Sequence, residues 1–173
     1  MKKLISLFIM ILSCINTFGV GKKDRNHSRE IITQSYDTII KAKILTSDLK
    51  VKPSISKQYF WYQNGSIGSN VGGYTGKLLH MNYTALLNNK LVESGTFNKG
   101  LKNGKWISWY EDGNIKEICY YRKGILNGKY ILLDESGNNQ AEGRFRNGKF
   151  HKKFSLKGFL KNKLRREGVN NPL

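Results

Sequence analysis

The sequence is poor in the residues that carry out chemistry. Its 173 residues include two cysteines, three histidines and 12 acidic residues. His27, His80 and His151 lie far apart, and none stands with another at the spacing of metal ligands. None belongs to a glycine–x–serine–x–glycine nucleophile motif. We therefore predict a protein that is not an enzyme and that uses no metal or other cofactor.

What the sequence does contain is a repeat with a fixed period. Glycines recur every 24 residues with their neighbours, so that Gly100-Leu-Lys-Asn-Gly-Lys105 returns as Gly124-Ile-Leu-Asn-Gly-Lys129. A fixed period of about 20–50 residues is typical of stacked supersecondary units. The glycines are Gly76, Gly100, Gly124 and Gly148. The rows are 57–80, 81–104, 105–128 and 129–152, followed by a degenerate fifth row that begins at Lys153.

Each row has the pattern of a β-hairpin. In row three, two arms rich in aromatic and β-branched residues, 105–110 and 115–121, flank Asp112-Gly113. This dipeptide predicts a type I′ turn, which needs positive φ at both central residues. The same place is taken by Asn64-Gly65 in row one and by Ser136-Gly137 in row four. The 24-residue glycines should form the return turns, because a residue without Cβ adopts positive φ at little cost. We predict an all-β protein, an elongated and twisted meander of tandem antiparallel hairpins.

Side-chain alternation predicts which residues pack. Because successive side chains of a strand point to opposite faces, odd-numbered positions should form one face and even-numbered positions the other. The odd positions are apolar and include Tyr83, Phe97, Ile107, Cys119, Tyr121, Ile131 and Phe145. The even positions are mixed, and their aromatic and basic members are predicted to form an exposed surface for sugars, peptides or membranes. These members are Trp106, Tyr110, Tyr120, Tyr130, Arg122 and Arg146. The alternative is cross-strand aromatic packing that only stabilises the sheet.

The rows resemble MORN-type repeats in their bacterial variant. The resemblance is carried by 121–124, by Gly104-Lys-Trp-Ile-Ser-Trp-Tyr110 with Asp112-Gly113, and by Phe145-Arg-Asn-Gly-Lys149. It covers residues 57–154 and implies an antiparallel array of hairpins that serves as a scaffold for membranes or protein partners. Bacterial proteins with such arrays are often described as YwqK-type antitoxins. The resemblance therefore also implies an alternative, an immunity-like inhibitor that binds and neutralises a partner protein.

The N-terminus has the pattern of an export signal. Lys2-Lys3 precedes the uncharged apolar run 4–12, which is the order and length of a secretory signal peptide, and we place this peptide at 1–21. Ile11-Leu-Ser-Cys14 is similar to a lipobox, so Cys14 is a candidate lipidation site. Cleavage beside Gly19 or Gly21 would instead release a soluble chain. Either way we expect an exported protein of the cell envelope.

The segment between the signal and the array carries no repeat. We interpret 22–56 as a polar stalk followed by a lead-in strand that caps row one, with weak alternation over Thr38 to Leu45. If Cys14 is lipidated or removed, Cys119 remains as a single thiol and the mature chain has no disulfide framework. The array must then hold by packing and strand pairing alone.

Positive charge is concentrated at the C-terminal end of a chain whose net charge is +18. We predict a basic patch made of Arg144, Lys149, Lys152, Lys153, Lys157, Lys161, Lys163, Arg165 and Arg166, the later members lying in the tail 155–173. Such a block attracts anionic headgroups, nucleic acid or acidic polymers. Because an exported protein does not meet intracellular nucleic acid, we expect an anionic membrane, an envelope polymer or a protein partner. A solvated lysine-rich tail is the alternative.

Two carboxylates share one repeat position. Glu93 and Glu117 stand 24 residues apart, so they should lie near each other on neighbouring hairpins. A glycosidase-type pair would require a cleft that raises one carboxyl pKa. A polar position copied with its repeat is the simpler interpretation.

Overall fold

The structure, a computed structural model, describes residues 27–46 and 51–153. Within these ranges the chain forms strands and turns and no helix. It follows that the described part has no helix long and apolar enough to cross a membrane. The predicted signal peptide, Cys14, and the basic residues from Lys157 onward lie outside the described residues.

Twelve antiparallel strands form one open sheet. They are β1 (Ser28–Ser35), β2 (Thr38–Leu45), β3 (Gln58–Gln63), β4 (Ser66–Val71), β5 (Lys77–Leu87), β6 (Lys90–Asn98), β7 (Leu101–Trp109), β8 (Ile115–Arg122), β9 (Ile125–Leu126), β10 (Gly128–Leu133), β11 (Asn139–Arg146) and β12 (Lys149–Lys152). The main order is β1-β2-β5-β6-β7-β8-β10-β11-β12, with β9 beside β8. The predicted all-β meander of hairpins is confirmed.

The lead-in segment joins the sheet at a different place from the one predicted. Thr38–Leu45 is a strand, as its alternation indicated, and it forms a hairpin with β1. It does not pair with the hairpin of row one, β3–β4, however, but runs along β5 from Leu79 at the end of row one to Leu87 in row two. The reason is the length of β5, whose 11 residues accept β2 over most of their edge and β3 only at Lys77 and Leu78.

Row one, the hairpin β3–β4, therefore packs against the sheet more than it extends it. Its Phe60 ring lies 5.0 Å from the ring of Phe97 in β6, and the Phe60 amide donates to the Gly100 carbonyl at 2.8 Å. Tyr62 and Ile67 of the same hairpin also pack against the main core. Rows two and three thus have a second layer over part of one face.

The hairpin turns follow the predicted chemistry in one row and depart from it in two. Asn64-Gly65 has positive φ at both residues, as a type I′ turn requires. At Asp112-Gly113 only the glycine has positive φ, so the predicted type I′ turn is wrong there. The Gly113 amide donates to the Tyr110 carbonyl, and the Tyr110 amide donates to Asn114. This is a longer loop that ends in a left-handed glycine.

The row-four turn repeats that longer loop. The Gly137 amide donates to the Asp134 carbonyl at 2.9 Å, and Ser136 does not have positive φ. In both rows an aspartate accepts a side-chain hydrogen bond from an asparagine amide, Asn114 to Asp112 and Asn138 to Asp134. Short polar side chains that bond locally favour this loop over the two-residue turn.

Three of the four predicted return-turn glycines have the expected conformation. Gly100, Gly124 and Gly148 each have φ near +80° and follow a residue that also has positive φ. For Gly76 the prediction is wrong, because its φ is not positive. A Cβ at Gly76 would instead overlap the backbone carbonyl of Tyr62. This glycine is required by the close approach of row one to β5, not by a turn.

The predicted division of the faces by odd and even numbers is wrong for β7 and β10. Partners across a two-residue return turn have numbers of opposite parity, as in Phe97 with Lys102. Even positions of β7 therefore share a face with odd positions of β6 and β8. We call the face that carries Tyr83, Phe97, Trp106, Cys119 and Tyr121 the core face, and the opposite one the outer face. Ile107 and Ile131, predicted to pack with Phe97, pair with Ile118 on the outer face.

The core is centred on rows two and three. Its buried members are Ile31, Ala42, Ile44, Leu79, Phe97, Trp106 and Cys119, with a smaller cluster of Leu45, Tyr59 and Leu78. Trp106 is 2% exposed and lies flat on Gly95, where a Cβ would overlap the indole ring. Burial declines toward the C-terminus, and Phe150 in β12 is 42% exposed.

Candidate binding surfaces

Cross-strand pairing assembles a row of basic side chains on the outer face. Lys129 of β10 pairs with Arg144 of β11, and Arg144 pairs with His151 of β12. On the other side, Lys105 of β7 pairs with Tyr120 of β8. Directly opposite side chains of neighbouring strands share a face, so Lys129, Arg144 and His151 form one line across β10, β11 and β12. Lys105 and Tyr120 form a second pair on the same face. We call these five residues the basic stripe.

The basic stripe is flanked by further positive charge and by apolar surface. Arg122, Arg146 and Lys149 alternate onto the same face one step along their strands, and all three are exposed. A shallow depression of the surface is lined by Lys129, Arg144, Arg146 and His151 among others. On its other side the stripe borders half-buried Ile118 and Ile131.

One carboxylate lies close to the stripe, and it is bonded within the sheet. Glu142 accepts a hydrogen bond from the Lys153 ammonium at 2.8 Å. That bond, helped by the charges of Lys153 and Lys129, holds the pKa of Glu142 below its usual range. The carboxylate is thus ionised and neutralises Lys153, while Lys129 and Arg144 keep their charge available to a ligand.

The core face carries an ion pair, Lys102 with Glu93, which the sequence analysis did not predict. Lys102 of β7 donates from its ammonium to Glu93 at 2.7 Å, and the same nitrogen lies 3.8 Å from the ring centre of Trp106. Tyr121 and Phe60 complete the surroundings, with ring centres at 5.5 and 5.8 Å. A cation that bonds a carboxylate and rests on an indole face is held by both charge and the ring quadrupole.

The tyrosines and the cysteine of the core face stay protonated at neutral pH. Burial raises the pKa of Tyr83 and Tyr121 to about 12, with nearby carboxylates adding to the effect. Burial and the charge of Glu117 raise the pKa of the Cys119 thiol to about 11. A thiol is nucleophilic only as the thiolate, so this cysteine behaves as a small apolar group.

The two carboxylates of the shared repeat position are close neighbours on the core face. Glu93 and Glu117 both pair with Ser108, one from each side, which places their Cα atoms two strand spacings or roughly 10 Å apart. Their partners differ. Glu93 binds Lys102, whereas Glu117 interacts with the Tyr130 hydroxyl and raises its pKa.

The predicted six-residue binding surface is divided between the two faces. Tyr120, Arg122 and Arg146 lie on the outer face. Trp106 and Tyr130 lie on the core face, so the prediction that they are exposed beside these arginines is wrong. The Tyr110 hydroxyl donates to the Leu133 carbonyl at 2.8 Å, and this residue links rows three and four. The error has one cause, the reversal of parity at each two-residue turn.

The predicted basic patch is divided in the same way. Arg144, Lys149 and Lys153 belong to the outer face, while Lys152 pairs with Gly143 on the core face. Lys105 and Lys129 join the patch, although neither was predicted to do so. The signal that could have identified them is their common repeat position, one residue before Trp106 and Tyr130.

Within the described residues, no group of three or more histidine, cysteine, aspartate or glutamate side chains could hold a metal ion. No protein-family model, curated protein or solved structure matches the chain. The resemblance to MORN-type repeats therefore stays a prediction, and function has to be argued from the two faces themselves.

Proposed function

We propose that the protein is a non-enzymatic repeat scaffold of the cell envelope whose outer face binds anionic membrane headgroups. The observation that carries the proposal is the basic stripe, in which Lys129 and Arg144 stand opposite each other on β10 and β11, with Lys105 on the same face of β7. Strands of a sheet hold such side chains at a fixed separation of about 4.8 Å per strand. A flat row of cations suits a surface of many separate anionic groups.

Energetics favour this partner. A basic residue near an anionic membrane contributes about 1 kcal/mol within a Debye length of the surface. Tyr120 lies inside the stripe, and tyrosine is enriched where one end of a side chain meets an apolar phase and the other meets water. The export signal predicted at 1–21, and lipidation at Cys14 if it occurs, would bring the outer face to the membrane.

The test is binding of the full chain to vesicles by co-sedimentation. Vesicles of phosphatidylglycerol should bind the protein, and vesicles of phosphatidylcholine should not. Exchanging Lys129→Gln together with Arg144→Gln should weaken binding about tenfold or more, because two stripe charges are lost. Lys41→Gln with Lys90→Gln is the matched control, since it removes two exposed charges far from the stripe.

Salt separates this proposal from apolar insertion. Raising the ionic strength from about 0.05 to about 0.5 M shortens the Debye length several-fold and should abolish vesicle binding. Binding that is independent of salt, or equal losses in the two double variants, would contradict the proposal.

A second candidate function is binding of a protein partner, including an antitoxin-like or immunity-like inhibitor. The observation that favours it is the outer edge of β1, which within the described residues pairs only with β2. Ile32 in β1 is 64% exposed, and Tyr36 in the following turn is 96% exposed. An open edge with apolar side chains accepts an added strand from another chain. Ile32→Lys should abolish such a complex and leave vesicle binding unchanged.

A further inference from the structure

The repeat allows one row to serve as a template for interpreting the next. Where rows two and three meet, a lysine ammonium lies against a carboxylate and three aromatic rings. We call this group the row-three set after Trp106, and the equivalent group around Tyr130 the row-four set. The residues 24 positions later keep most of this set. Glu93 corresponds to Glu117, Phe97 to Tyr121, Trp106 to Tyr130, Tyr121 to Phe145, and Lys102 to Leu126. The acid and the rings recur, and the cation does not.

Strand pairing places the two sets equivalently. Lys102 pairs with Phe97 across the return turn at Gly100, and Leu126 pairs with Tyr121 across the return turn at Gly124. Lys102 and Leu126 are both on the core face. Leu126 therefore stands where the stem of a lysine side chain would begin. Leu126 packs against the core and carries no donor that could reach Glu117.

Within the described part of the chain, the ion pairs are Lys102 with Glu93 and Lys153 with Glu142, so Glu117 has no cationic partner there. Glu117 interacts with the Tyr130 hydroxyl instead, and burial together with this interaction raises the pKa of Tyr130 to about 12. A protonated tyrosine satisfies part of the carboxylate but adds no positive charge.

The row-four set is also more accessible than the row-three set. Phe60 of the row-one hairpin forms one wall around Lys102, 5.8 Å from its ammonium. The main contacts of β3 are with β4, β5 and β7, none of which belongs to row four. Phe145 and Phe150 stand at 5.1 and 5.6 Å from the Tyr130 ring and form the apolar side of the site.

We propose that Glu117, Tyr130 and the neighbouring rings of Tyr121 and Phe145 form a binding site for a primary alkylammonium group, such as the end of a lysine side chain. The ammonium would donate to Glu117 and lie against the Tyr130 ring, as Lys102 does with Glu93 and Trp106. A carboxylate acceptor selects a nitrogen that carries hydrogens, and the aromatic walls take the alkyl stem. This inference concerns the core face and is independent of the proposed membrane contact.

The probe that tests the site is n-butylammonium, followed by NMR of the full chain with labelled glutamate and tyrosine side chains. We expect saturable shifts of the Glu117 methylene and Tyr130 ring signals, with the Glu93 signals unmoved because Lys102 occupies that position. Tetramethylammonium lacks N–H donors and should bind several-fold more weakly. Glu117→Gln should weaken n-butylammonium binding at least about fivefold.

Exchanges at Leu126 and at the equivalent residue Lys102 test the site in both sets. Leu126→Lys supplies an internal ammonium, so it should abolish the probe-induced shifts at Tyr130, whereas Leu126→Met is the uncharged control and should not. Lys102→Leu empties row three and should create a second set of saturable shifts at Glu93. Far-UV circular dichroism checks that each variant is folded.

Several outcomes would overturn the proposal. One is the absence of saturable shifts in the parent chain, and another is probe binding that survives Glu117→Gln. Shifts at Tyr130 that persist in a folded Leu126→Lys variant would likewise show that the ammonium binds elsewhere.

Discussion

Rows three and four have the same repeat pattern and the same hairpin geometry, but they differ in how their core-face polar groups are satisfied. In the row-three set Lys102 neutralises Glu93 and is covered by Phe60 of the first hairpin. In the row-four set Glu117 interacts with the Tyr130 hydroxyl instead of with a lysine. The comparison shows that a repeat can lose a structural ion pair through the change of a single position, from Lys102 to Leu126.

Substitution of a glycine is the first test of this comparison, and it should have the largest effect on the free energy of unfolding. Gly95 supports the Trp106 ring, and its repeat counterpart 24 residues later is Cys119, which already carries a side chain. Gly95→Val should lower the free energy of unfolding by about 3 kcal/mol, because the indole has no alternative position in a buried core. Cys119→Val should change it by less than about 1.5 kcal/mol.

Urea unfolding of both variants measures this difference. If Gly95→Val and Cys119→Val destabilise equally, Trp106 does not depend on a flat platform in β6. The division between a packed row three and a more open row four would then be wrong.

The return turns provide a second, smaller test. Gly100 and Gly148 have nearly the same φ, 78° and 82°, so alanine costs each of them about 1 kcal/mol of backbone strain. At Gly100 a Cβ would also lie 2.5 Å from Leu78 and 3.0 Å from the Phe60 carbonyl, whereas at Gly148 the nearest atom is 3.7 Å away. We expect Gly100→Ala to cost about 2 kcal/mol and Gly148→Ala about 1 kcal/mol. Thermal unfolding that gave the reverse order would contradict the layered view of rows one to three.

The smallest expected effect is a loss of stability of the packed rows at alkaline pH. The pKa of Cys119 is raised from 9.0 to about 11, and that of Tyr121 from 10.0 to about 12. A folded-state pKa above the unfolded value contributes stability that is complete below the unfolded pKa and is lost as pH rises through the folded pKa. Without screening by solvent, these shifts would lower the free energy of unfolding by about 3 kcal/mol between about pH 9 and pH 11. Because solvent screens both groups in part, we expect a fall of about 1 kcal/mol. Tyr121→Phe should make this fall shallower, and an unchanged slope would show that its hydroxyl is not buried.

Much of the architecture was predictable because it depends on local chemistry. The period, the hairpins and three of the four return turns follow from glycine and asparagine at fixed intervals, as Gly124 and Gly148 show. The face on which each side chain lies was not predictable, because it depends on the number of residues in each turn. One two-residue turn before β7 was enough to move Trp106 from a predicted surface into the core.

The candidate sites were predictable only in part for the same reason. The even position of Tyr120 and Arg122 was interpreted correctly, since β8 keeps the assumed parity. The pair of Lys102 with Glu93 depends on strand register and on the position of row one over β7, neither of which leaves a signal in spacing. Glu117 was visible as a repeat of Glu93, but its lack of a cation becomes evident only once Lys102 is placed.

The return turns also connect each row to the one before it. The Gly124 amide donates to the Lys102 carbonyl, and the Gly148 amide donates to the Leu126 carbonyl, both at 2.9 Å. Each turn thus finds its acceptor on a strand that was synthesised earlier, so the array can be completed in order from the N-terminus during translation. A tandem duplication of one 24-residue unit would arrive with its acceptor already in place. The chain can accordingly lengthen by whole rows without any change to the rows it already has.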